Sequence, residues 1–586
     1  MVGVSPLDAG PVLAIDIGVT TTRALLFDVV EGRYRFIAKG ISSTTSAIPI
    51  HDVGEGVRMA IEEVQEVSGR LFLGSEGNII IPSQPDGSGA DAIVATLSVG
   101  PPLRVVAVGL LDDVSLESVC RLAETTYHQL VEKISLNDRR DTATRIDAIV
   151  RVRPDVVIMA GGTQDGATRS MSELIEAVGL AIYLLPGGKR PEVLFAGNQA
   201  LEEEIKESLE YLTSLRIAPN IRPALEQEDL GPARKALGKI YSSVRFGHVP
   251  GMKDLEAWMG ERITPTTSGF GRVVRFLSTV YDPAKGVLGV GVETNAISIA
   301  AGFEGELVQL VYPQYCMANN PEEFLSNTSL ENIYRWLLFP VPKESLKDYI
   351  YNKSLYPSSV PVTREDLAIE QALVREELRL ATNALLLRLP GTIVHSTDGL
   401  MPWFEPIIVR GAPFSQAPTY GQAMLMLLDG LQPTGVTTFV LDQNDLSPVL
   451  GAAAEVSSVL SIQVLESNAF LNLGTVISPV FKAREGVPVL GLRLVDEETG
   501  RTSSVEIEAG ELKAIPIPSG QVVRVELRPL HSANLGFGKP ASGGELRVIG
   551  GLLGLVIDAR GRPLELESDP QQCRDMMRRS LWNLGG

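Results

Sequence analysis

The chain has 586 residues, 44% of them apolar and 21% charged, with a formal net charge of −19. That apolar content excludes a largely disordered chain, and the acidic balance excludes a general nucleic-acid binder. Cys120, Cys316 and Cys573 stand far apart with no CxxC pair, which excludes a disulfide framework or a cysteine zinc site and points to a reducing cytoplasm.

At about 150 residues per domain the length implies roughly three or four domains. Residues 1–10 carry no basic stretch leading into a long apolar run, so no signal peptide is expected. The longest apolar runs, such as 105–111 and 550–557, fall well short of the roughly 18 residues that cross a bilayer, so no membrane segment is expected.

Residues 12–17 read as a buried strand, 18–22 as a turn and 23–29 as a second strand, with a hairpin link at Gly32 to a third at 34–39. Val53, Val57, Ala60, Ile61 and Val64 recur at helical spacing and predict a helix over 53–67. From about 100 to 225, apolar strands at 104–110, 155–160 and 192–196 alternate with helices at 115–134, 169–178 and 200–211. That alternation predicts a parallel sheet covered on both faces, with binding loops at 160–166 and 197–198 after strand ends.

Strands return at 286–310, with a hairpin turn at 303–305. A long helix is predicted over 364–387, entered through Thr363 and Asp366 at N-cap and N3 spacing. Next come a strand at 406–410, a helix at 420–431, a strand at 437–441 and a helix at 447–460. Beyond 470 the texture is β-rich, with strands near 546–558, a charged turn at 558–563 that reads as exposed, and a final helix entered through Asp569-Pro570.

The most informative motif is residues 13–28, LAIDIGVTTTRALLFD. Gly18 lets the backbone approach a phosphate, and the turn's N–H groups and the hydroxyls of Thr20, Thr21 and Thr22 suit its oxygens. Asp16, at the strand end, suits a Mg²⁺ ion held through water. The competing reading is a plain hairpin with Asp16 stabilising its turn.

Residues 288–300, LGVGVETNAISIA, align on this motif without gaps, pairing Gly291 with Gly18 and Thr294 with Thr21 and placing Glu293 and Asn295 in the second turn. Two such units are what a cleft between two similar half-domains requires. No GxxxxGK[ST], HExxH or GxSxG string occurs, and the five histidines are scattered, so a P-loop, zinc protease or serine hydrolase has no support.

With residues 155–166 (DVVIMAGGTQDG), 193–198 (VLFAGN), 409–413 (VRGAP) and the spaced pairs Leu441-Asp442 and Leu450-Gly451, the chain resembles the actin/Hsp70/sugar-kinase superfamily over about 10–460. Within it the chain is most similar to the glutamate mutase MutL family, which is unrelated to the mismatch-repair protein of that name. The resemblance implies an α/β, actin-like ATPase fold of two duplicated half-domains around a nucleotide cleft, with a β-rich C-terminal domain.

Its expected boundaries are 1–285 for the first half, with an α/β unit inserted at about 100–225, then 286–465 for the second half and 466–586 for the C-terminal domain. ATP or ADP and Mg²⁺ are the implied ligands. Asp16 and Asp165 are the implied catalytic carboxylates, Asp16 also meeting the metal. Gly411 and Ala412 fall in the adenosine loop. The implied role is that of a switch, chaperone or reactivating factor acting on a protein partner, with an adenosylcobalamin-dependent mutase as the family's candidate.

Several residues keep two readings. Gly161, Gly162 and Thr163 either cradle an anion or form a tight turn capped by Asp165 or Thr168. Asp442 suits a ribose or a helix cap, and Arg410 a base, a phosphate or the surface. Gly451 and the alanines after it read as a close helix approach. Gly289 stands where the superfamily usually has Asp, which argues for slow or absent hydrolysis. The alternatives are a small-molecule kinase, with Asp86, Asp91 or Asp165 as its base, and a non-hydrolysing actin-like scaffold.

Overall fold

Every residue of β1 (Val12–Ile17) is buried, as an apolar strand covered on both faces must be. The computed structural model containing it describes residues 10–164, 166–259, 263–390, 393, 399–537, 541–566 and 569–586, without the side chains of residues 246, 253 and 254. The chain forms two compact units, one of Gly10–Leu26 with Ala38–Ser268, the other of Phe27–Ile37 with Gly269–Gly586.

The first unit opens on β1, which leads to β2 (Thr21–Val30) and β3 (Arg33–Ser43), whose joined ends, Phe27–Ile37, belong to the second unit, then to α1 (Val53–Ser68) and β4 (Ala92–Leu97). Asp52 caps α1 by accepting from the Gly54 amide, and Gly69, at φ 70°, closes it in a left-handed conformation that glycine adopts freely.

The chain then builds a separate parallel sheet from β5 (Leu103–Gly109), α2 (Glu117–Ala123), β6 (His128–Ile134), α3 (Thr142–Val152), β7 (Val156–Ala160), α4 (Arg169–Leu184), β8 (Glu192–Phe195), α5 (Glu202–Leu209) and β9 (Leu215–Ile217). Its order is β6-β5-β7-β8-β9, with every neighbouring pair parallel. One helix expected over 115–134 is in fact α2 followed by β6. The hydroxyls of Thr125 and Thr126 turn back to the carbonyls of Leu122 and Ala123, ending the helix and freeing the next seven residues to pair as a strand.

The chain returns through α6 (Gly231–His248) and α7 (Met252–Met259) to β10 (Ile263–Pro265), which completes the sheet β3-β2-β1-β4-β10. Neither β4 nor β10 was expected from sequence. The boundary between the units falls within α8 (Thr266–Leu277).

The second unit continues with β11 (Gly286–Val292), β12 (Ile297–Phe303), β13 (Glu306–Tyr312), α9 (Pro321–Asn327), α10 (Leu330–Tyr334) and α11 (Lys343–Leu355). The long α12 (Arg364–Leu386) follows, with the reciprocal Thr363–Asp366 capping box that its sequence predicts. Then come β14 (Phe404–Arg410), α13 (Ala412–Ser415), α14 (Tyr420–Leu431), β15 (Gly435–Asp442), α15 (Leu446–Ala453) and α16 (Ser458–Leu465).

The last part of the chain supplies β16 (Leu471–Ser478), β17 (Pro488–Asp496), β18 (Thr502–Glu508), β19 (Leu512–Ile515), β20 (Val522–Pro529), β21 (Gly544–Ile549), β22 (Leu555–Asp558) and α17 (Pro570–Asn583). β18-β17-β20-β21 form an antiparallel sheet of their own, whereas β16, β22 and β19 extend the larger one, β13-β12-β11-β14-β15-β16-β22-β19.

The first five strands of that larger sheet repeat the first sheet. β13-β12-β11-β14-β15 has the order of β3-β2-β1-β4-β10, with the fourth and fifth strands again parallel to the first. The first three are antiparallel in both, by pairing in the second sheet and by their short turns in the first. The duplication read from two short motifs therefore extends to the whole topology.

The charged side chains of the turn at 558–563 are buried rather than exposed, and only Pro563 of the turn is exposed. Asp558 and the side chain of Arg562 have no exposure and that of Arg560 has 2%, because each charge meets an opposite one inside the fold.

Candidate functional site

β1 ends on Asp16, whose carboxylate is 2% exposed. Thr96 on the neighbouring β4 donates to it at 2.7 Å, Thr266 donates at 3.4 Å, and Arg23 on β2 forms an ion pair with it at 3.1 Å. In the turn that follows, the Gly18 amide donates to the Thr21 carbonyl at 3.0 Å. A Cβ at Gly18 would lie 2.7 Å from that carbonyl oxygen, so glycine is required. Thr44 fastens the turn from outside: its amide donates to the Thr20 carbonyl and its hydroxyl to the Gly18 carbonyl at 2.8 Å.

Thr20 and Thr21 lie half-buried at this turn. Thr22 does not join them: it is fully buried and bonds the Thr44 hydroxyl at 2.9 Å, so it braces the turn instead of offering itself to a phosphate. Among the described residues no cluster of three or more His, Cys, Asp or Glu forms a metal cage. The donor set fits a Mg²⁺ ion carried by phosphates and touched by one carboxylate, with Arg23 competing for Asp16.

The second turn belongs to the other unit. The Glu293 amide donates to the Ala296 carbonyl at 3.0 Å, closing the turn between β11 and β12. Asn295 is buried, and the Cys316 thiol donates to the Thr294 carbonyl at 3.1 Å. Burial pushes that thiol well above its ordinary pKa, with the carboxylate of Glu377 adding to the effect, so Cys316 serves as a neutral donor.

Register brings three strand ends together: Gly291 pairs with Arg410, and Arg410 with Asp442. Arg410 is 3% exposed, which corrects the surface reading. Its guanidinium pairs with Glu293, reaches Asp445 at 3.1 Å and lies 5.7 Å from the Phe270 ring centre. It is an internal hub that locks the second turn to the loop after β15.

Gly411, at φ 114°, begins α13, and a Cβ there would stand 2.1 Å from the Val292 carbonyl. Ala412 beside it is exposed. Asp442 caps the helix: its carboxylate accepts from the Leu446 and Ser447 amides and the Ser447 hydroxyl at 2.8, 2.7 and 2.5 Å. Burial, helped by Asp445, raises its pKa.

Gly161, Gly162 and Thr163 lie after β7, on a different sheet from Gly18. They form the tight turn. A Cβ on Gly161 would stand 2.7 Å from the Met171 sulfur, the Gly162 carbonyl accepts from Asn220 at 2.9 Å, and the Gly166 amide donates to Thr163. Asp165 falls outside the described residues, and Thr168 makes no side-chain cap to α4. Asp86 and Asp91 hold their own loop by accepting from Ser88 and Ser83.

Gly289 has a packing reason. A Cβ there would sit 2.5 Å from Val274 and 2.7 Å from Phe270, both on α8, so the space of a carboxylate is already filled. On the same helix, Gly269 meets Gly451 of α15, where a Cβ would lie 1.9 Å from the Gly269 carbonyl, the close approach expected from sequence. Gly289→Asp is therefore expected to cost about 1–3 kcal/mol by overpacking, without raising phosphate release. Thermal melting and a phosphate assay check this; a variant equally stable that releases phosphate faster contradicts it.

Sequence reasoning missed Arg23, Thr44, Thr96, Thr266 and Asp445. Thr96 alone left a signal, as a hydroxyl within an otherwise apolar strand that pairs in register with Asp16.

The repeated strand order is that of the actin-like ATPase fold, here carrying an inserted parallel sheet and additional C-terminal strands. Among solved structures, the chain has low similarity to an ATP-dependent caprolactamase from Pseudomonas jessenii, at 11% identity over 85% of this chain and 81% of that one, with a TM-score of 0.31. It is also similar to a xylulose kinase from Bifidobacterium adolescentis, at 12% identity over 77% and 93%, TM-score 0.29. A glycerol dehydratase reactivase matches at 13% identity over 71% and 94%, TM-score 0.25. No curated protein matches the chain. The model of the family described as MutL protein matches residues 12–469, most of the chain and all of both repeated sheet cores, and the chain belongs to that family, the glutamate mutase MutL family of the sequence resemblance.

Proposed function

We propose that the chain binds ATP with Mg²⁺, its phosphates meeting the β1–β2 turn, hydrolyses it slowly, and uses the nucleotide state to act on a partner protein. The observation that carries this reading is the repeated topology, which sets a strand–turn–strand unit at the same place in each sheet, its turn opened by Gly18 in the first and by Glu293 in the second. Thr20, Thr21 and the backbone amides near Gly18 would meet phosphate oxygens. Asp16 would orient a metal-bound water, and the hub of Arg410 with Glu293 and Asp445 would hold the second turn in shape. Membership of the MutL family favours an adenosylcobalamin-dependent mutase as the partner, with the chain as a reactivating factor.

The filled space at Gly289 favours weak hydrolysis and keeps a non-hydrolysing scaffold as the second reading. Measuring phosphate release alongside ATP affinity separates the two. Slow release that falls further in Asp16→Asn supports the switch, whereas tight binding with no release supports the scaffold. Among the described residues no helix is long and apolar enough to cross a membrane.

A further inference from the structure

Within the second unit, α8, α15 and α16 and the β12–β13 turn enclose an open groove of about 390 Å³. Its walls are apolar, with Val273 and Phe276 on one side and Leu450, Ile462 and Leu465 on the other. The groove is not a closed core. Ile462 is 37% exposed, and Val459, three residues before it on α16, is 50% exposed, so an apolar stripe continues out of the groove along the helix.

The charge of the lining is one-sided. Arg272 and Arg275 are its only charged residues in a chain of net charge −19. Arg272 is engaged internally, donating to the Gly451 carbonyl and to Glu455, both at 2.6 Å. Arg275 is exposed, with no ion-pair partner among the described residues. A cleft with long apolar walls and one outward guanidinium complements an apolar stripe flanked by carboxylates.

We propose that this groove docks an amphipathic helix of the partner protein, with apolar residues at i, i+3 or i+4 and i+7 in the groove and an acidic flank on Arg275. This rests on the reading that the chain acts on a partner, and it names where and by what chemistry the partner is held.

The test pans a displayed library of helical peptides on the full chain and measures the selected peptides by fluorescence anisotropy. Ile462→Glu and Arg275→Glu serve as variants, each at an exposed position and checked for native circular dichroism. The expected result is enrichment of peptides with the apolar spacing and Asp or Glu on one flank, whose affinity falls about tenfold or more in either variant, roughly 1.4 kcal/mol. Absence of enriched peptides, or equal binding by the variants, overturns the proposal. Self-association of the wild type that Ile462→Glu abolishes also overturns it and gives the groove to a second copy. ATP affinity is measured on the same samples, so a wild type that binds ATP but no peptide refutes the groove alone, and one that binds peptide but no ATP refutes the nucleotide reading alone.

Discussion

Replacing Arg560 by alanine is expected to lower the stability of the second unit by about 3–5 kcal/mol, among the largest effects of any single substitution away from the glycine turns. Arg560 reaches Asp429 at 2.8 Å and Asp558 at 2.9 Å. Asp429 is also held by Arg375 at 2.8 Å, and Asp558 by Arg562 at 2.8 Å. Arg562 extends the chain of contacts to the Pro433 carbonyl at 2.8 Å and the Ser478 hydroxyl at 3.2 Å. The network thus joins α12, α14, β16 and the end of β22, and adds a buried ionic link to the β15–β16 strand pairing that attaches the C-terminal strands to the repeated core.

Burial alone would raise the Asp558 pKa, but Arg560 and Arg562 outweigh it and hold the carboxyl far below the usual range. Removing Arg560 leaves two buried carboxylates short of a counter-charge, which costs more than the lost contacts. Joint replacement of Arg560 and Asp558 by apolar residues of similar volume should cost less than the single change. Denaturant unfolding checks both, and a loss below about 1 kcal/mol for Arg560→Ala would contradict the account.

The second large effect is a dependence of stability on pH. Glu377 of α12 is fully buried and accepts from the Met317 amide at 2.9 Å. Burial, with Glu370 adding to it, pushes its pKa from the ordinary value of 4.5 up to about 8, against the opposing pull of the Met317 amide and Lys353. A carboxyl raised in this way stays protonated in the folded chain while the unfolded chain ionises. The folded state therefore binds the extra proton between about 4.5 and about 8, and stability falls as pH rises through that window.

Glu377→Gln keeps an acceptor for the Met317 amide and removes the ionisation. Relative to wild type it should gain stability steadily from pH 5 to pH 8, by a few kcal/mol at the upper end. Melting curves across that range decide the matter, and a difference that does not change with pH would show that Glu377 is ionised in the fold. The effect would reach the second turn, since Cys316, next to Met317, donates to the Thr294 carbonyl.

Much of the fold was legible because period and turn chemistry agree with the final packing. β1, α1, the capped α12 and α17 follow their apolar spacing and caps. The duplication was legible as well, in the match of 288–300 to the first motif, although the fold corrects its pairing by two residues: Gly291 lies within β11, and Glu293, whose amide closes the second turn, holds the place of Gly18. What was hidden depends on partners distant in sequence. β6 has residues that suit a helix or an edge strand, and its pairing with β5 decides. The turn at 558–563 reads as solvated until Asp429, on α14, supplies its missing charge.

Within the site, glycines were read well and hydroxyls less well. Gly18 and Gly411 are needed by backbone atoms close to them, a constraint that short spacing encodes. Thr22 looks like Thr20 and Thr21 in the sequence, yet strand alternation turns it inward to Thr44. Asp442 and Arg410 were ambiguous because a helix cap and an ion-pair hub use the same residue types as a ligand site.

Isothermal titration of Mg-ATP into the full chain, beside Gly18→Val and Asp16→Asn variants that retain native circular dichroism, tests the central claim most directly. The account predicts saturable binding by the wild type at micromolar to millimolar ATP, at least about tenfold weaker in both variants. Absence of heat from the wild type across that range, or equal affinity in all three proteins, would contradict it.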